Sequence, residues 1–371
     1  IKMPLTKVQS RGTENVGAGS KSLVINGGMS IAQRGSSSTG TGYKTVDRFQ
    51  MGTSGVDNDP TQAQVDVASG TTPYTLGLRK AYKITNANQS SGAGSSDIID
   101  IKYIFEAQDV ATSGWNYNSS SSYVTLSFWV KSSVAQNFFG HVKTFDGTAY
   151  NYPFSTGSLT ADTWTKVTKT ISGNSNLTIN NDNGQGLEIR WALFYGTDRT
   201  ASVTEDAWAT YDNAQRTPDN TSTWYTTNSA TFEITGVQLE VGSQASDFQH
   251  EDIGTTLAKC QRYFEKSNEM VTSPQGSNSS GPYISISSDN SGNACWSIEY
   301  KVRKRADPTQ TWYADNGTEG EWGYYKANTS LTYNTVNSHR ENEHATNAYM
   351  AVGGNNISVT VFGNWKADAE L

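Results

Sequence analysis

Residues 232–248 read FEITGVQLEVGSQASDF, and their alternation decides the fold. Phe232 and Ile234 alternate with Glu233 and Thr235, as a half-buried strand requires. Val237, Leu239 and Val241 resume the alternation in the opposite phase. A one-residue phase change at Gly236 reads as a β-bulge, where the missing side chain lets the backbone kink. Beyond Val241 the apolar pattern stops, and after a loop Leu257, Cys260 and Phe264 fall at helical spacing. The stretch predicts the end of a long β domain, a short helical connector and the start of a second β domain.

Upstream, strands are expected at 76–84, 98–105, 123–131, 137–145, 163–171 and 187–195. The clearest puts Val124, Leu126, Phe128 and Val130 on one face and Thr125, Ser127, Trp129 and Lys131 on the other. Asn183-Gly184, after Leu177 and Ile179, is a hairpin signal because both turn residues need positive φ. Downstream, Trp296, Ile298, Tyr300 and Val302 face one way and Ser297, Glu299, Lys301 and Arg303 the other. Ile357, Val359 and Val361 form a further strand. So many strands with turn signals imply packed antiparallel sheets. The fold class expected is all-β: an amino-terminal jelly-roll sandwich over 21–250 and a smaller sandwich over 269–371, joined by a helical connector at 251–268. Residues 1–20 are polar and are expected to form an amino-terminal arm. About ninety residues make a thin core alone, since small domains bury a lower fraction of their surface, so association around a three-fold axis is expected to supply the rest.

Composition agrees. Hydrophobic content is 35% but aromatics reach 11%, with 10 Trp and 19 Tyr, so core volume comes in large pieces that suit thin sandwiches. The net charge of −7 argues against general affinity for nucleic acid, and an anionic polysaccharide would need a local basic patch. No run of about twenty apolar residues could span a membrane. No charged segment followed by an apolar one indicates classical secretion. Cys260 and Cys295 read as buried free thiols in a protein assembled in a reducing cytosol.

A resemblance joins these readings. Phe232-x-Ile234-Thr235-x-Val237-Gln238-Leu239-Glu240-x-Gly242, a loop with Phe248, and Leu257-Ala258-x-Cys260-Gln261-Arg262-Tyr263-Phe264 resemble fibre-like virion proteins of bacteriophages. Asn26-Gly27-Gly28-Met29-Ser30-Ile31-Ala32-Gln33-Arg34-Gly35, with Asp47-Arg48-Phe49, and the terminal Trp365-Lys366-Ala367-Asp368-Ala369-Glu370-Leu371 belong to the same likeness. It implies a homotrimeric β-rich tail fibre or spike, assembled in the host cytoplasm into the virion. The arm would hold other virion proteins, and the outer domain would contact a host-surface glycan or protein as a receptor-binding region. A head decoration or fibre adaptor is the rival reading. A polysaccharide depolymerase is a further one.

Few constellations carry chemistry. His339 and His344 are five apart without helical periodicity, so a solvated loop is expected rather than a zinc site. Asn181-Asp182-Asn183-Gly184 and Asp57-Asn58-Asp59 lack the distal Glu of a calcium loop and read as turns. No nucleophile elbow, phosphate loop or legible carboxylate pair appears, so no enzyme activity, catalytic residue, metal or cofactor is expected. Lys301-Val302-Arg303-Lys304-Arg305 reads as a strand presenting Lys301, Arg303 and Arg305 outward. Trp115, Tyr117, Trp208 and Trp224 are loop aromatics of the first domain. In the second, Trp312, Tyr313, Trp322, Tyr324 and Tyr325 are the expected ligand-binding residues, because flat rings stack on the C–H faces of sugars.

Overall fold

The structure, a computed structural model, describes residues 22–268, 281–326 and 330–371. The arm predicted at 1–20 lies outside them. The first domain runs through β1 Ser37–Ser38, β2 Phe49–Ser54, β3 Thr61–Asp66, β4 Lys80–Thr85, β5 Ile98–Glu106 and β6 Tyr123–Ser132. It continues with β7 Asn137–Thr144, β8 Tyr150–Ser158, β9 Thr165–Ser172, β10 Gln185–Tyr195, β11 Ala209–Thr210 and β12 Thr231–Val241. They form two antiparallel sheets, ordered β1-β3-β4-β12-β6-β9 and β11-β8-β7-β10-β5-β2. The inner faces meet through large rings. Phe128 of β6 stands edge-on to Trp191 of β10 at 5.6 Å, which ties one sheet to the other.

The bulge at Gly236 is present. The β12–β6 register shifts between Thr235 and Gln238, and Gly236 has φ +61°. A Cβ there would lie 2.8 Å from the tip of Leu78 and 3.2 Å from Trp129, so conformation favours glycine and a side chain would have to push Leu78 aside. The hairpin predicted at Asn183-Gly184 does not form. Leu177 and Ile179 are buried but lie outside any strand, and β10 pairs instead with β5 and β7. Long-range pairing decides the partner of a strand, which turn chemistry alone cannot.

Helices are short: α1 Thr72–Thr75, α2 Ala107–Ala111, α3 Thr223–Thr226 and α4 Ile253–Gln261. Asp252 caps α4 by accepting from the Thr255 N–H at 2.9 Å. The helical spacing through Phe264 is broken because β13 Phe264–Lys266 pairs with the far end of the chain. The second domain follows with β14 Tyr283–Ser287, β15 Asn293–Glu299, β16 Thr309–Tyr313, β17 Glu321–Lys326 and β18 Thr332–Thr335. It ends with β19 Asn337–Glu341, β20 Ala345–Ala351, β21 Ser358–Phe362 and β22 Asn364–Asp368. Three small antiparallel sheets, β13-β22-β16, β14-β21-β17-β18 and β15-β20-β19, enclose its core.

The motifs scattered along the sequence converge where the two domains meet. Arg34 lies over the Phe264 ring at 3.7 Å and Arg48 over the Tyr263 ring at 3.5 Å. Glu370 receives both guanidiniums, and Gln33 donates to the Phe264 carbonyl at 2.8 Å. Asn26, Met29 and Arg48 all adopt positive φ here. Such conformations cost roughly 1–2 kcal/mol each outside glycine and persist where the surroundings enforce them. Contrary to expectation, residues 301–305 are not a strand. β15 ends at Glu299, Lys304 is fully buried on Glu265 at 2.6 Å, and Arg305 donates to the Asn183 carbonyl at 2.6 Å. This basic run is part of the joint.

Candidate functional site

The expected ligand-binding rings divide between two faces. Trp312, Tyr313, Trp322 and Tyr324 are buried, while Tyr325 is 41% exposed. Trp322 stacks on Trp296 at 4.9 Å and meets Trp312 edge-on at 5.2 Å, so these indoles are the centre of the second core. The Trp322 indole N–H donates to the Asn364 carbonyl at 3.0 Å, which satisfies its one polar atom. These four rings therefore have no face free for a sugar in this chain. In β17, Trp322 and Tyr324 point inward and Tyr325 outward, as the period of two dictates.

The outward side of that sheet holds the site that remains. Tyr283 of β14 stacks on Phe362 of β21 at 4.8 Å with planes 7° apart, and Tyr325 of β17 lies 5.2 Å from Phe362 on the other side. Tyr283 is 56% exposed. Its register partner is Phe362, which in turn faces Gly323, and the missing side chain at Gly323 lets the Phe362 ring lie down between the tyrosines. Tyr333 of β18 pairs with Gly323 and donates its hydroxyl to Asp315 at 2.7 Å. That acceptor and then burial push the Tyr333 phenol up to about 12. Ser285 and Thr360 share a hydrogen bond of 3.0 Å on the same surface.

The arrangement is an aromatic row with hydroxyls beside it. Because the rings stack on one another, most of their faces are used within the row. Tyr283 is the exception: β14 is the sheet edge, and the side of its ring away from Phe362 meets no other ring among the described residues. One open face and neighbouring hydroxyls can take the apolar side of a sugar and hydrogen-bond its rim. Neither Tyr283 nor Phe362 was singled out from sequence, although Tyr283 opens a strand whose exposed and half-buried residues alternate.

Elsewhere the loop aromatics of the first domain are structural. Trp115 and Trp224 are buried, and Trp208 packs on Tyr152 at 5.2 Å. His344 is exposed, the side chain of His339 lies outside the described residues, and no group of metal-ligating residues forms among those described. Cys260 is buried as expected, but Cys295 is exposed, because alternation in β15 turns it away from Trp296. Buried carboxylates come together around an arginine at two places among the described residues: Asp47 and Glu370 at Arg34, in the joint, and Asp100 and Glu188 on the outer face of the second sheet of the first domain. Arg190 bridges the latter two, at 3.1 Å to Asp100 and 2.5 Å to Glu188. Burial opposes the charge on Asp100, but Lys102 and Arg190 overcome it and hold the carboxyl below its usual range.

No family model matches the chain, and no curated protein matches it. Solved structures do. The enzymatically active domain of tailspike protein 4 from bacteriophage CBA120 aligns over 60% of this chain at 9% identity and a TM-score of 0.33. This chain spans only 21% of that tailspike's length. The amino-terminal cellulose-binding domain of Cellulomonas fimi β-1,4-glucanase C aligns over 58% of this chain and 99% of its own, at 11% identity and a TM-score of 0.27. A tandem carbohydrate-binding-module domain from Paenibacillus barcinonensis covers 96% of this chain and 100% of its own, at 9% identity and a TM-score of 0.30. At these scores the similarity is one of architecture and carries no residue-level correspondence.

Proposed function

We propose that this chain is a subunit of a bacteriophage fibre or spike that contacts glycans of the host surface through the outer sheet of its second domain. The observation that supports the reading most is the Tyr283–Phe362–Tyr325 row, with an exposed tyrosine face at a sheet edge. The sequence likeness to fibre-like virion proteins supplies the setting. The subunit would be one of three, with other virion proteins held by the arm. Weak sites repeated over three chains give avidity without tight single-site binding. We assign no catalytic role: of the buried carboxylates that pair, Asp100 and Glu188 are committed to Arg190 and Asp47 and Glu370 to Arg34.

The second reading, a head decoration or fibre adaptor, draws support from the burial of four of the five expected rings. Labelled protein applied to intact host cells separates the two. Staining that is lost after periodate oxidation of surface glycans agrees with the receptor reader. Absence of staining on every susceptible strain, with the chain located on the particle's head by imaging, would assign it to decoration instead.

A further inference from the structure

A second concave surface among the described residues lies away from the aromatic row. It is a groove of about 1020 Å³ at the waist, where the end of β12 and the loop after it face α2 and the last turn of α4. Its apolar strip is Leu23 and Ile25, both half-buried, and Val241, which is 40% exposed. Around that strip stand hydroxyl, amide and charged side chains.

Most of those charges are already spoken for. Arg262 grips Glu106 with two bonds of 2.7 and 2.8 Å, Lys259 pairs with Glu251, and Glu240 accepts from Ser246 at 2.6 and 2.7 Å. Asp109 on α2 is different: it forms no hydrogen bond or ion pair with the described residues, although it is half-buried. Burial, and then Glu106, push its carboxyl up against the opposing pull of Arg262 and Arg48. The hydroxyls of Thr112 and Ser113 donate to backbone carbonyls at 2.7 Å; Ser113 Oγ also accepts from the Trp115 N–H at 3.2 Å, and each oxygen keeps a lone pair for an incoming donor.

We infer that this groove binds a saccharide bearing an ammonium group, an amino sugar, with Asp109 taking the ammonium and the hydroxyl-bearing walls taking the ring substituents. The strip of Leu23, Ile25 and Val241 receives the C–H side of the ring. A peptide laid along the groove by strand addition is disfavoured by the backbone. The N–H groups of Leu23, Val24 and Ile25 are bonded to Leu239 O at 2.8 Å, Ser22 Oγ at 3.2 Å and Tyr103 Oη at 2.7 Å. None is left to pair with a new strand. A half-buried carboxylate with no hydrogen bond or ion pair, whose nearby Arg262 is already engaged by Glu106, favours a cation, and the volume falls at the upper end of ordinary ligand pockets.

The test is calorimetric titration of the full chain with a glucosamine tetrasaccharide, its N-acetylated counterpart and tetralysine. The deacetylated sugar should bind about five-fold or more tighter than the acetylated one, the equivalent of about 1 kcal/mol. Asp109→Asn should erase that preference. Ser243→Trp, on an exposed loop at the groove, should remove binding of both sugars. Equal affinity for the two sugars, a preference that survives Asp109→Asn, or tetralysine binding as tightly as the sugar would each overturn the proposal. The outer-sheet reading is tested apart from this one, because Tyr283→Ser removes the aromatic row and leaves Asp109 in place.

Discussion

Glu370 accepts from Arg48 across 322 positions of sequence, and the two side chains are 6% and 1% exposed. Arg34 reaches the same carboxylate at 3.4 Å and Asp368 at 3.2 Å. The first and last motifs of the chain thus close on each other, and they fix how the second domain sits on the first. Removing Glu370 leaves the buried Arg48 guanidinium without its counter-charge, while Arg34 keeps Asp368 and Asp47; an uncompensated buried charge typically costs about 3–5 kcal/mol. Glu370→Gln is therefore expected to lower stability by that order in urea unfolding. A loss below about 1 kcal/mol would show that the joint does not depend on this charge.

The joint also predicts a pH dependence. Burial disfavours the charge on Glu106, but its hydrogen bonds from Arg262 outweigh burial and leave the carboxyl below its usual 4.5. A depressed carboxyl contributes stability that is fully present above its unfolded value and is lost as pH falls through the folded one. Stability should decline on acidification below about pH 4.5, the ordinary value for Glu. In Glu106→Gln the decline should be shallower over the same range. Parallel curves for the two proteins would remove Glu106 from the account.

Tyr325 and Trp322 differ in position by three residues and should differ sharply in consequence. Trp322→Ala opens a cavity among stacked indoles and is expected to cost about 3–5 kcal/mol. Tyr325→Ser, on the outer face, should change stability by roughly 0.5 kcal/mol or less while weakening glycan binding. Thermal melts of both variants check the first part directly.

At Gly236, alanine would have to adopt φ +61° and push against Leu78. A loss of about 1–3 kcal/mol is expected from this strain. Unchanged unfolding of Gly236→Ala would mean that the bulge relaxes freely.

Much of the sandwich is legible because period-two alternation is a local signal. β6 shows it in Val124, Leu126, Phe128 and Val130, all buried, and the bulge at Gly236 shows as a phase change. β3, reading TQAQVD, carries too little apolar contrast to be seen and is recruited by pairing with β4. The site was less legible for a related reason. In β17, Tyr324 and Tyr325 are adjacent and alike, so alternation separates their faces without saying which one meets the core. The neighbours decide that: Trp296 stacks on Trp322 on one side, whereas Phe362 stacks on Tyr325 and Tyr283 on the other. The Arg48–Glu370 contact depends on where both ends of the chain arrive, which no local pattern encodes.

Binding of the full chain to a printed panel of bacterial surface glycans, beside the Tyr283→Ser/Tyr325→Ser double variant, probes the central claim most directly. The account predicts a defined set of glycans bound by the native chain and at least a ten-fold loss, about 1.4 kcal/mol, in a double variant that still melts as the native chain does. A double variant that binds those glycans undiminished would contradict it.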